Sequence, residues 1–224
     1  MRKRKLSERL VQEINDLKSS REIIEDFLYN FVSNSARYVI FMHDILAKKH
    51  SEDYLNVPIS QYIVSLVTCW ETYFRDMFVF LSKADEQFLN DVISMNNIVV
   101  KEHEFIREDF SLAEFISKFF NFQNLNNTEK AFRPLFEGES FFIVLNHYER
   151  QFFLPNKGII HDFSLRKIDS NWYELIDNFF EIRHRIIHDA NYRLKIKNSI
   201  IIKTESIFYS SSNCRAIYFR KIWY

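Results

Sequence analysis

Residues 181–191 read EIRHRIIHDAN. Two Arg, two His, a Glu, an Asp and an Asn crowd around a pair of Ile. The stretch is either the polar end of a helix or the seat of chemistry. An imidazole titrates near neutral pH and can move protons. A guanidinium presents a rigid fork of donors to an anionic partner. Which of these side chains can meet depends on the element that carries them.

The apolar spacing predicts a helix from about Asn171 to His188. Asn171 followed by Glu174 fits a capping box. Asp189-Ala190-Asn191 provides a stop, because Asn tolerates the left-handed conformation at a helix C-terminus. Each residue turns about 100° on a helix. With Phe179 as zero, Trp172, Ile176, Phe179 and Ile186 make one apolar stripe. Arg183 falls inside that stripe, at about +40°. A cation there needs a carboxylate partner or a cleft. Glu71, in WETYF at the edge of an earlier helical stripe, is the candidate partner. His184 and His188 are neighbours at i, i+4 and point away from the core, at about 140° and 180°. Arg183 and His188 are therefore about 140° apart. Either the helix ends before His188, or Arg183 of one chain works with His188 of another.

The elements that must position this stretch are helical. The chain of 224 residues is one domain, or one domain with an appendage. Only two Gly (138 and 158) and three Pro leave few tight turns or phosphate-cradling loops. Neither GxGxxG nor GxxxxGK[ST] occurs. Leu6 to Leu46 carries helical spacing, with KSS and SNSA as possible breaks. Pro58 followed by ISQYIVSLVTCWETYFRDMFVFLSK is the strongest helix, with Pro58 in its first turn. Shorter helical patterns follow near 84–95, 111–121, 127–136 and 139–153, with the acidic KEHEFIREDF between two of them. NSIIIKTESIFYS and AIYFRKIWY are β-branched and aromatic, which predicts a short hairpin or extended tail. The expected organisation is an all-α helical domain over 1–195 and a strand-like appendage over 196–224. The 24 Phe and 11 Tyr read as core packing.

Charge narrows the function classes. Thirty Lys and Arg balance thirty Asp and Glu, but residues 141–224 carry 13 basic and 8 acidic side chains. A basic last third suits a phosphate-bearing ligand. Cys69 and Cys214 form no CxxC, which suits a reduced, cytoplasmic protein. No secretory h-region follows the basic N-terminus and no 18-residue apolar run occurs, so neither export nor a membrane span is expected.

Arg183-His184-Arg185-Ile186-Ile187-His188 resembles the RxxxxH signature of the HEPN superfamily. These are α-helical domains whose catalytic members are metal-independent ribonucleases. The second slot, commonly Asn, Asp or His in that family, is His184 here, and SLVTCWETYF resembles the family's preceding core helix. The resemblance covers about residues 20–195. It implies a HEPN-like helical bundle and a homodimer whose two motifs share one cleft across which RNA lies. The product ends would be a 2′,3′-cyclic phosphate and a 5′-OH. On that footing His188 transfers the proton, Arg183 stabilises the phosphorane and His184 positions the substrate. Glu71 and Asn191 support them, and Arg185, Arg193, Lys195 and Lys197 contact the RNA backbone. No cofactor is implied. Stand-alone bacterial members often resemble toxins or anti-phage effectors, which implies an antitoxin or regulatory partner.

Three rival readings stand beside this one, of which the simplest is an unrelated helical interaction protein. A non-catalytic HEPN-like domain would bind RNA or nucleotide and dimerise. A metal site would use His184 and His188, with His161-Asp162 adding ligands. Against the metal, Arg-Ile-Ile between the two His is not HExxH, and the adjacent Arg residues repel a cation.

Overall fold

The computed structural model describes residues 24–100, 111–136, 138–147, 150–153, 160–163 and 165–211. The sequence readings that fall on 6–23, 101–110 and 212–224 lie outside these. The elements in chain order are α1 (Ile24–Leu46), α2 (Glu52–Ala84), α3 (Glu86–Met95), α4 (Leu112–Ser117) and α5 (Leu125–Phe132). They continue with a 3₁₀ turn (Arg133–Phe136), α6 (Phe141–His147), β1 (Arg150–Phe153), β2 (Ile160–Phe163), α7 (Leu165–Ile168), α8 (Trp172–His188) and α9 (Asn198–Ser211). The fold is all-α, with one antiparallel two-stranded ribbon that pairs Arg150 with Phe163 and Phe153 with Ile160. Among the described residues no helix is long and apolar enough to cross a membrane.

Helix α2 is the axis of the bundle. Its 33 residues span roughly 50 Å. It begins earlier than the Pro58 signal suggests. Ser51 caps it, its Oγ accepting from the Tyr54 N–H at 3.3 Å. Pro58 therefore stands inside the helix rather than in its first turn. At the other end Asp85 serves two helices. Its N–H closes α2 on the Leu81 carbonyl at 2.8 Å, and its Oδ1 accepts from the Phe88 N–H of α3 at 3.1 Å. The SNSA stretch does not break α1. Ser35 is buried there, and its hydroxyl donates back to the Phe31 carbonyl at 2.5 Å.

The core is aromatic. Trp70 of α2 is fully buried and meets Phe74, Phe180 of α8 and Phe208 of α9, with ring centroids 4.5, 5.8 and 5.1 Å away. Phe74, Phe78, Phe122, Phe132 and Phe141 fill the side of α2 toward α4–α6.

The segment 198–211, expected as a strand, is helix α9. Ile201, Thr204, Ile207 and Phe208 are all fully buried at helical spacing. That single face docks in the same core as α2 and α8, and this packing overrides the β-propensity of the Ile-rich run.

Both ends of α8 also differ from expectation. Asn171 makes no side-chain cap and its backbone (φ −106°, ψ 28°) is not extended as a capping residue's usually is. Asp169 organises this end instead: its Oδ1 accepts from the Asn171 N–H at 2.8 Å and its carbonyl from the Trp172 N–H at 3.2 Å. At the far end Asn191 does not adopt a positive φ. Asp189 ends the helix in an extended conformation, and its Oδ1 accepts from the Asn191 N–H at 2.9 Å.

Candidate site at the C-terminal end of α8

The chemistry-bearing stretch occupies the last two turns of α8 and the segment after it. Helix α8 runs unbroken through His188. An early helix end, which would have let Arg183 and His188 converge within one chain, is thus absent. The two side chains stay on different sides of the helix, about 140° apart.

Arg183 lies on the core side and is half-buried. Burial pulls its guanidinium below the ordinary arginine range, and the Glu71 carboxylate pushes it back. Its Nε is buried and has no hydrogen-bond partner among the described residues. Glu71 accepts its hydrogen bonds from other donors, Arg75 one turn along α2 and Gln123. Glu71 and Arg183 are thus neighbours through charge, while Arg75 and Gln123 complete the polar recess.

His184 and His188 are exposed, with ring centroids 4.5 Å apart and planes tilted by 48°. Among the described residues no three His, Cys, Asp or Glu side chains gather where they could hold a metal ion. His161 and Asp162 lie in β2. The outward face of α8 N-terminal to the imidazoles is acidic: Glu174, Asp177 and Glu181 are all exposed. Asp177 is pushed above the ordinary carboxyl range, first by partial desolvation, then by Glu181 and Glu174.

Beyond Asp189 the chain meets the N-terminal part of α2. Arg185, Asn191, Arg193, Lys195 and Lys197 are exposed, whereas Leu194 is buried and Tyr192 and Ile196 pack against the core. Asn56 of α2 holds this segment. Its Nδ2 donates to the Leu194 carbonyl at 3.1 Å, and its Oδ1 accepts from the Leu194 N–H at 3.2 Å.

Neither Asn56 nor Gln123 was singled out by sequence reasoning, since each is a lone amide far from the motif. Gln61, Ser65, Thr68, Thr72 and Asp76 form a polar row at helical spacing on α2, and with α1 they line a cavity of about 450 Å³. Cys69 also lines it, its thiol pushed up to about 11 by burial, so it stays protonated at neutral pH.

No protein-family model, curated protein or solved structure matches this chain.

Proposed function

We propose that the chain is a metal-independent endoribonuclease of HEPN type that leaves 2′,3′-cyclic phosphate and 5′-OH ends. The observation that carries the reading is the exposed His184–His188 pair, its rings 4.5 Å apart, at the C-terminal end of α8. Strand cleavage of RNA without water or cofactor needs two proton transfers. An imidazole takes the proton of a ribose 2′-OH, and O2′ attacks the adjacent phosphorus. The P–O5′ bond breaks, and O5′ leaves with a proton from an imidazolium. His188 carries the proton and His184 supports it. Arg183 is assigned the charge on the phosphorane oxygens. In one chain it points away from the imidazoles, so the reading requires a homodimer whose second motif joins the first in one cleft. The resemblance assigns the activity to a toxin or anti-phage effector, and because unchecked RNA cleavage harms a cell the reading includes an antitoxin or regulatory partner.

The test is cleavage of RNA by the purified protein in EDTA, with the product ends identified. His188→Ala should lower the rate about 10²–10⁴-fold with the helical content unchanged. Cleavage that survives the substitution, or that requires a divalent metal, defeats the mechanism.

A second reading is favoured by one observation, the half-burial of Arg183. In that reading the domain binds RNA or nucleotide and dimerises without catalysis. Binding with no cleavage by the wild-type protein would select it.

A further inference from the structure

We propose that residues 192–197 form a phosphate-tracking strip for single-stranded RNA, and that Asn56 is the positioning residue that sets it. The inference rests on the RNA-binding half of the reading above and assigns the route by which RNA reaches the end of α8.

Three observations carry it. First, exposure alternates along the segment. Arg193, Lys195 and Lys197 are exposed, while Tyr192, Leu194 and Ile196 are turned to the core. A period of two puts all three cations on one side, roughly 6.5 Å apart in extended chain. Second, the cations are uncommitted. Lys48, Arg75, Lys83 and Lys203 each pair with a carboxylate, but Arg193, Lys195 and Lys197 make no ion pair among the described residues. Third, the backbone between them is clamped. Both polar groups of Leu194 are taken by the Asn56 amide, from a helix 138 positions away in sequence. A clamp at the middle residue fixes which side chains face out, because a slip of one residue would turn the cations inward.

Charge on α8 gives the strip its direction. Glu174, Asp177 and Glu181 line the outward face of the helix before the imidazoles, so a polyanion running along α8 would meet repulsion. From the other side it meets Lys197, Lys195 and Arg193 in turn, then Arg185 and the His pair. The partner chemistry is therefore a flexible phosphodiester chain held by its backbone, with no base readout required.

The experiment measures binding of a 2′-O-methyl oligoribonucleotide, which cannot be cut, over a range of KCl concentrations. For a single strand each phosphate neutralised contributes about 0.7 to the slope of log K against log salt. The triple variant Arg193→Gln, Lys195→Gln, Lys197→Gln should lower that slope by about 2. Asn56→Ala, which leaves every cation in place, should lower it in the same direction with the far-UV circular dichroism retained. An unchanged slope in the triple variant overturns the strip. An unchanged slope in Asn56→Ala, beside a lowered one in the triple variant, overturns the positioning role. Absence of binding by the wild-type protein overturns both. If Asn56→Ala fails to fold, the triple surface variant still decides the strip. The ribonuclease reading fails separately, on cleavage of unmodified RNA. A protein that shows the slope changes but never cuts keeps the strip and loses the enzyme.

Discussion

Glu71 of α2 accepts hydrogen bonds from Arg75 and Gln123, and its charge also reaches Arg183 on α8, holding up a guanidinium that burial pulls down. One carboxylate thus balances two guanidinium groups that are both partly buried. Glu71→Ala should cost about 1–3 kcal/mol, because the Arg75 and Gln123 donors lose their acceptor and Arg183 loses its counter-charge. Urea denaturation would show a lower midpoint with the slope m unchanged. An unaltered midpoint would mean that the recess contributes nothing to the fold.

Asp177 gives a stability change whose sign depends on pH. Its carboxyl is raised in the fold, so its charged form destabilises the native state at pH above the folded pKa. That penalty is relieved as pH falls through the folded value toward the ordinary carboxyl range near 3.9. Asp177→Asn should therefore raise Tm at pH 7, with the gain fading near pH 3–4. Thermal melts at the two pH values check this, and a gain of equal size at both would argue against it.

The two imidazoles should separate by role. His188→Ala removes the proton carrier and should depress kcat, whereas His184→Ala should act mostly on KM and less on kcat, by about tenfold or less. Steady-state cleavage of a short RNA resolves the two. Equal loss of kcat in both would assign the pair a shared acid–base role.

Phe208 tests the place of α9. It is fully buried against Trp70, Phe179 and Phe180. Phe208→Ala should cost about 3–5 kcal/mol, as for a core aromatic. Loss of less than about 1 kcal/mol in equilibrium unfolding would mean that 198–211 is a dispensable attachment.

How far the chain's local pattern reaches is clearest at α8. The wheel places Arg183 among apolar side chains and the His pair opposite, and the exposures agree: half-buried for the first, exposed for the others. The helical character of the chain was equally legible, from scarce Gly and Pro and from stripes such as Ile63, Leu66, Val67, Trp70 and Phe74, all of them buried. Periodicity is a local property, so it predicts which way a side chain points within its own helix.

What each side chain meets came from packing. Ile200, Ile201 and Ile202 read as strand, yet they lie in a helix because Ile201, Thr204 and Phe208 find one continuous core to enter. Asp169, rather than Asn171, organises the start of α8, because a neighbouring turn and Lys203 of α9, 2.6 Å from its Oδ2, hold that carboxylate in place. The Asn56 amide and the Leu194 backbone are 138 positions apart, and no short-range signal links them. A helix stripe or a cationic run needs only its neighbours in sequence. A hydrogen bond between distant segments exists only after the chain has closed, and those bonds fix Leu194, between the cations Arg193 and Lys195, against Asn56 of α2.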